Sequence, residues 1–358
     1  MSLDKEKMIA KVQENVDKLA NKDFNVYFFV LDTKGKPSGN LEYIYGTALA
    51  LKRMGYKVTM LHNEKEFVGV GDWLPGEAAE LPHVNIEKNN VDVSPCDFLF
   101  IPELFANVML KTKELPCKKV MILQSVDFLL DFMPVGATPE MLNITDIICP
   151  TNALCEKAKS YFPRINTHLV RPVISELFHK DDKPKKLIIN IVADDQSDVD
   201  KIVKPFYWKY PVYKWISFRD LRGVSQEVFA DALRESMATV WMDDGSDMGR
   251  VPLEAMRSGN IVVAKVPDRL SDWMTDDEGK IGNNCFWFFD TDSVPDLLAN
   301  LVNKWLLDEV PESVYEAAAE LDNSYNQAEQ DMDISKEYVG LFEKRVQDFK
   351  AVLAELSK

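Results

Sequence analysis

Between residues 246 and 263 the chain reads SDMGRVPLEAMRSGNIVV, and this stretch holds the residue types best able to do chemistry. Gly249 belongs to a loop, and Pro252 suits the first helical position, where its missing N–H has no partner to lose. On that reading Glu254 falls at the third helical position, in the first turn. A helix N-terminus behind a glycine loop presents several N–H groups without intrahelical partners, and it attracts an anion. A carboxylate beside it accepts two hydrogen bonds from a vicinal diol. Together these groups suit a nucleotide diphosphate with its ribose. The plain alternative is that Glu254 gains about 0.3–1 kcal/mol from the helix dipole and does nothing else. Arg250 in the loop and Lys265 beside the following strand are the cations nearest such an anion. Asp243, Asp244 and Asp247 are placed either to hold sugar hydroxyls or to cap and turn the loop.

The elements around this stretch alternate short apolar runs with helical periods, the pattern of a parallel α/β sheet. The N-terminal half predicts strands over 24–32, 56–62, 97–103, 118–125, 146–151 and 167–172. Helices are expected over 5–20, 41–55 and 152–162. The charged, proline-containing segment VISELFHKDDKPKK (173–186) interrupts this pattern and marks a domain boundary. A second set of strands follows over 187–193, 213–218, 238–244, 260–266 and 284–290. Helices near 199–208, 225–236, 252–258 and 293–307 separate them. A last amphipathic helix, 334–356, carries Val339, Leu341, Phe342, Val346, Phe349, Val352, Leu353 and Leu356 on one stripe. The acid-rich stretch 308–334 reads as solvated helix faces. The expected architecture is two Rossmann-like, doubly wound domains, 1–172 and 173–325, with a helical tail, 326–358, packing on the first. In open α/β sheets ligands bind at the carboxyl ends of the strands, so two such domains would face one cleft.

Composition narrows the partners. The 358 residues carry a formal net charge of −16, which argues against nucleic acid, whose phosphates need a basic face. No apolar run approaches the length of a membrane span, and the charged N-terminus lacks the core of a signal peptide. The five cysteines, Cys96, Cys117, Cys149, Cys155 and Cys285, form no C-x-x-C pair and read as reduced thiols of a cytoplasmic protein. The four histidines have no zinc-site spacing. The fragment GVGDW (69–73) follows no convincing strand and lacks the third glycine of a dinucleotide fingerprint.

The segment GRVPLEAMRSGNIVVA resembles the donor-binding segment of GT-B glycosyltransferases, specifically family four, in which a Glu, seven residues and a second Glu precede Ala-Met and a strand. SGNLEYIYGTALALKRMGYKVTML resembles that family's first glycine loop, helix and second strand. DIICPTNALCEKAKSYFP and VSQEVFADALRESMATVWMDD resemble two further segments, in the family's order. The resemblance implies that Glu254 holds the ribose hydroxyls, with Arg250 and Val251 beside it on the donor side. Gly249 would then lie near the transferred sugar and Gly39 near the diphosphate. The chain also departs from the pattern. Ser246 stands where the first Glu is expected. The N-domain histidine should fall near Gln124 or Glu103. The two diphosphate cations are missing from ADDQSDVDK (193–201), where Lys201 is the only base. Exchanging a carboxylate for a hydroxyl costs roughly 1–2 kcal/mol, or about 5- to 30-fold in donor binding.

The resemblance therefore implies transfer of a sugar from a nucleotide-diphosphate sugar to an unknown glycan or small-molecule acceptor. Anomeric configuration would be retained, with no cofactor and no metal. Glu254, Ser246 and Gln124 are the candidate catalytic residues; Gly39, Gly249, Arg250, Val251, Asp244 and Lys265 are the candidate donor contacts. The alternative is a GT-B protein that binds a nucleotide or sugar without transferring it. A nucleotide 2-epimerase of the same fold is a third option.

Overall fold

The computed structural model describes residues 3–74, 76–193, 195–242, 247–276 and 278–358. The chain forms two compact units, Met1–Pro172 with Ala328–Lys358, and Val173–Gln327.

The first unit begins with α1 (Leu3–Ala20), β1 (Asn25–Phe29), α2 (Gly39–Arg53), β2 (Lys57–His62) and β3 (His83–Asn85). It continues through β4 (Phe98–Pro102), α3 (Ala106–Lys111), β5 (Lys118–Ile122), α4 (Val126–Phe132), β6 (Ile144–Cys149), α5 (Asn152–Tyr161) and β7 (Asn166–Leu169). Its sheet has the order β3-β2-β1-β4-β5-β6-β7, with every pairing parallel. Val26, Phe28, Phe29, Phe98, Phe100 and Ile101 are all buried, because helices cover both faces of a parallel sheet and leave no side polar. Strand order reverses between β1 and β4, so the loops that follow these two strands splay apart there. Ser38 caps α2 by accepting a hydrogen bond from Leu41 N at 3.4 Å.

The second unit contains β8 (Lys186–Val192), α6 (Gln196–Lys209), β9 (Ser217–Asp220), α7 (Gln226–Glu235), β10 (Ser236–Trp241), α8 (Arg250–Arg257), β11 (Ile261–Lys265), β12 (Phe286–Phe288), α9 (Val294–Leu306) and α10 (Glu312–Asp322). Its parallel sheet has the order β12-β11-β10-β8-β9, and order reverses between β8 and β10. The loop from β10 to α8 therefore leaves the sheet at its switch point.

Helix α11 (Gln327–Leu356) closes the chain on the first unit. Phe342 contacts the rings of Phe24, Tyr56 and Phe98, while Tyr338 lies against Phe28 and Phe100. Arg171 forks onto Asp333, with Nε and Nη2 each 2.9 Å from a carboxylate oxygen. His168 lies between Glu337 (Nδ1, 2.8 Å) and Asp146 (Nε2, 3.0 Å). These polar anchors lie on the part of α11 that precedes the apolar stripe from Val339, and the helix begins at Gln327 rather than at 334. The stripe also fades early, since Val352 is exposed.

Several elements differ from the expectation. Strand β9 starts at Ser217 rather than 213, because Pro211–Tyr213 forms a 3₁₀ turn and Ile216 N bonds back to Tyr213 O. The short elements β3, α3 and α4 have too few residues to show a period, whereas α10 is the mostly solvated helix expected in the acid-rich stretch. Among the described residues no helix is long and apolar enough to cross a membrane.

Candidate functional site

In the second unit the site residues gather where α8 begins. Gly249 is its N-cap and adopts φ 61°, ψ 47°, the left-handed region that side chains avoid. Space demands glycine as well. A Cβ there would lie 2.7 Å from Met274 Cε and 2.8 Å from Trp273 Cζ2. Two further contacts hold this loop from the same side. Trp273 Nε1 donates to Met248 O at 3.0 Å, and Ser271 Oγ donates to Asp247 O.

The helix starts at Arg250, two residues before the position Pro252 would mark. Pro252 is thus the third helical residue, still among the first N–H positions without an intrahelical partner, so it breaks no bond. Glu254 is the fifth, and the first turn contains no acid. This corrects the expected placement and removes the plain alternative, because the dipole effect falls off within the first turn. Glu254 is instead buried, at 5% exposure, and its Oε1 faces Arg250 Nη2 at 3.4 Å. Arg250 is equally buried, with its charge at the positive end of the helix dipole, so Glu254 offsets an otherwise unfavourable placement. A second ion pair lies in the same loop, where Arg269 Nε approaches Asp247 Oδ1 at 2.6 Å.

The cap thus brings together Asp247, Gly249, Arg250 and Glu254, joined by Arg269, Ser271 and Trp273 from twenty residues further on. Nothing in the local spacing of VPDRLSDWM marks those last three, since their role follows from a loop that folds back. Val251 packs against the apolar cluster around Trp241 and Leu253. Lys265 is the half-buried last residue of β11. Ser246, Asp243 and Asp244 lie outside the described residues.

In the first unit, Gly39 is the exposed first residue of α2. Gln124 is buried just after β5 and donates from Nε2 to Asn40 O at 3.0 Å, in the first turn of the same helix. Glu103, 1% exposed, accepts from the backbone N–H groups of Gln124 (3.2 Å) and Ser125 (2.8 Å) through Oε1. Gln124 and the α2 N-terminus are therefore one polar assembly. An amide cannot exchange a proton at neutral pH, so Gln124 can orient a group but cannot act as acid or base.

No protein-family model matches the chain, and no curated protein matches it in sequence. Solved structures do match in shape. A sucrose-phosphate synthase from Thermosynechococcus elongatus aligns over 89% of this chain and 99% of its own, at 11% identity and a TM-score of 0.62. The pneumococcal O-GlcNAc transferase GtfA, solved in complex with UDP and GlcNAc, aligns over 93% and 99%, at 7% identity and a TM-score of 0.60. The catalytic domain of starch synthase IV from Arabidopsis thaliana, bound to ADP and acarbose, aligns over 90% and 99%, at 11% identity and a TM-score of 0.54. The fold defined by the two parallel-sheet units and the returning helix is the GT-B fold of glycosyltransferases.

Proposed function

We propose that this chain is a glycosyltransferase that takes a sugar from a nucleotide-diphosphate donor. The observation that carries the reading is the start of α8, where a left-handed glycine cap precedes a buried Arg250 and Glu254 at the switch point of the second sheet. Glu254 accepts the ribose diol. The amides of the first turn, with the guanidinium groups of Arg250 and Arg269, take the negative charge that develops on the leaving diphosphate. Arg269 thereby supplies a cation that segment 193–201 lacks. The anomeric C–O bond to the diphosphate breaks and an acceptor hydroxyl attacks from the same face, its proton passing to the departing phosphate oxygen, so that positioning and this electrostatic support carry the transfer without a metal and with retained configuration. That similar proteins were solved with UDP or ADP supports a nucleotide ligand.

A second reading, nucleotide or sugar binding without transfer, is favoured by the Arg250–Glu254 pair, which engages the carboxylate the diol needs, and by an amide at Gln124. Incubation with a panel of UDP-, ADP- and GDP-sugars separates the two. Donor hydrolysis or transfer supports the first. Nucleotide-induced thermal stabilisation without turnover supports the second. Neither effect with any donor removes both.

A further inference from the structure

One segment of the second unit carries groups that the donor site does not use. Residues 201–219 contain Lys201, Lys204, Lys209, Lys214 and Arg219 but no acid, in a chain whose net charge is −16. Within it the run WKYPVYKW (208–215) closes α6 and leads to β9. Trp208 is 75% exposed, Val212 71% and Trp215 50%. The other five tryptophans of the chain are buried or half-buried.

The run is anchored from one side. Phe206 and Ile216 are buried, and the rings of Tyr210 and Tyr213 pack on Phe206 with centroids 5.9 and 6.0 Å away. The tyrosine hydroxyls are spent on the same side. Tyr207 donates to Ile216 O at 2.6 Å, Tyr210 to Asp296 Oδ1 at 2.7 Å and Tyr213 to Asn303 Oδ1 at 2.5 Å. Trp208, Pro211, Val212 and Trp215 alternate with these anchors and are left to solvent. Trp215 stands edge-on to Tyr213, at 6.0 Å and 79°. Acids outside the run balance Lys201, Lys204, Lys209 and Arg219, while Lys214 has no ion pair among the described residues. Apolar side chains exposed together in this way mark a surface that meets a partner.

We propose that the run 208–215 seats the second unit on the headgroup region of a lipid bilayer. Tryptophan rings settle at that depth, because the ring body is apolar and the indole N–H finds a partner among wet headgroups. Pro211 and Val212 enter beside them. The Lys214 stem lies along the apolar layer while its ammonium reaches a lipid phosphate. Other occupants fit less well. A glycan needs hydrogen-bonding groups beside the rings, and the tyrosine hydroxyls that could supply them face inward. A second copy would set Lys214 against a run that holds no acid to meet it. A rigid protein would need a pocket for each protruding ring, whereas a bilayer closes around them. Because the net charge of the chain opposes approach to an anionic surface, ring insertion must supply most of the affinity. This attachment does not depend on the glycosyl-transfer reading.

The test is flotation of the full chain with unilamellar vesicles of phosphatidylcholine alone and with about 20% phosphatidylglycerol. The expected result is saturable co-flotation with both, and a blue shift of tryptophan emission. Little should be lost in about 0.5 M salt, which screens charge and spares apolar contact. Trp208→Ser and Trp215→Ser should each weaken partition about tenfold, and the double variant should weaken it further. Val212→Asp serves as the probe if the serine variants do not fold. No flotation with either vesicle overturns the proposal, and so does a double variant that floats like wild type. Flotation that salt abolishes would place the affinity in charge and overturns the insertion of the rings. Dimerisation that the double variant abolishes would give the run to a second copy. Soluble amylose that shifts the same emission would give it to a glycan. Either of these also overturns the proposal.

Discussion

Helices α2 and α8 both begin at the switch point of a parallel sheet, yet they begin differently. In α2 the cap is Ser38, whose hydroxyl takes the Leu41 N–H, and neighbouring polar groups are spent on backbone, with Gln124 on Asn40 O and Glu103 on the amides of 124 and 125. In α8 the cap is Gly249, which has no side chain to accept anything, and the neighbouring polar groups are charges. A side-chain cap satisfies a helix start from within and contributes about 1 kcal/mol. A glycine cap gives up that stabilisation, lets the backbone approach other groups closely, and leaves the first turn suited to an external anion. The comparison teaches that the first-unit site is braced for positioning and the second-unit site is built for charge.

Substitutions at Arg250, Glu254, Gly249, Gly39 and Gln124, and one pH titration, would break or sharpen that contrast. The largest effect belongs to Arg250→Ala, which leaves Glu254 buried without its guanidinium and should cost about 3–5 kcal/mol in chemical denaturation. The double change Arg250→Met with Glu254→Met should recover most of that stability, because an apolar pair needs no compensation, while nucleotide binding stays lost. If the double variant is no more stable than the single one, the two charges do not act as a pair.

Next comes Gly249→Ala. The left-handed backbone and the contact with Met274 and Trp273 together should cost about 2–4 kcal/mol. The same change at exposed Gly39 should cost less than about 1 kcal/mol, or improve stability, since alanine is the better helix former. Similar losses at the two sites would erase the distinction between the caps.

Glu254→Gln probes the diol directly. Affinity for a ribose nucleotide should fall about 5- to 30-fold by calorimetry, while a 2′,3′-dideoxy analogue should bind wild type and variant alike. Equal ribose affinities would leave Glu254 as a partner of Arg250 only. In the first unit, Gln124→Ala removes one neutral hydrogen bond and should cost about 1 kcal/mol, with nucleotide affinity unchanged.

The last expectation concerns the clasp that holds α11. Burial opposes a charge on His168, but Asp146 and Glu337 outweigh it and raise the imidazole above its ordinary value. A group whose folded pKa is raised adds stability that is full below about 6.5, the unfolded value, and is lost as pH rises through the folded one. The stability gap between wild type and His168→Gln should therefore be widest near pH 6 and close on the alkaline side. A gap that widens with pH would show that the imidazole enters the clasp uncharged.

Much of the architecture was legible because local rules carry it. The apolar runs at 57–62, 98–102, 118–122 and 261–265 are strands of a sheet covered on both faces, and their shortness and flanking turn residues separate them from buried helices. Ser38, Thr151 and Ser225 signal the starts of α2, α5 and α7 within two or three residues, because a capping hydroxyl acts on its own neighbours. The start of α8 was misplaced by the same kind of rule. Proline is tolerated throughout the first turn, so Pro252 marks a range of positions, and only the left-handed Gly249 sets the register that moves Glu254 into the second turn.

From the sequence alone came the fold class, the alternation of elements and the stretch around Glu254 as a candidate anion site. These depend on periodicity and on chemistry within one turn of chain, which a linear reading can see. Only the tertiary structure paired Arg269 with Asp247, set Trp273 against Gly249 and brought His62 Nδ1 to Glu64 Oε2 without closing the bond. The first two of these contacts join loops some twenty residues apart, and the third lies on a turn whose path is set by Asp32 and Asn85. Burial is what makes each of them matter, because a charge or an open hydrogen-bonding atom costs little in water and a great deal out of it.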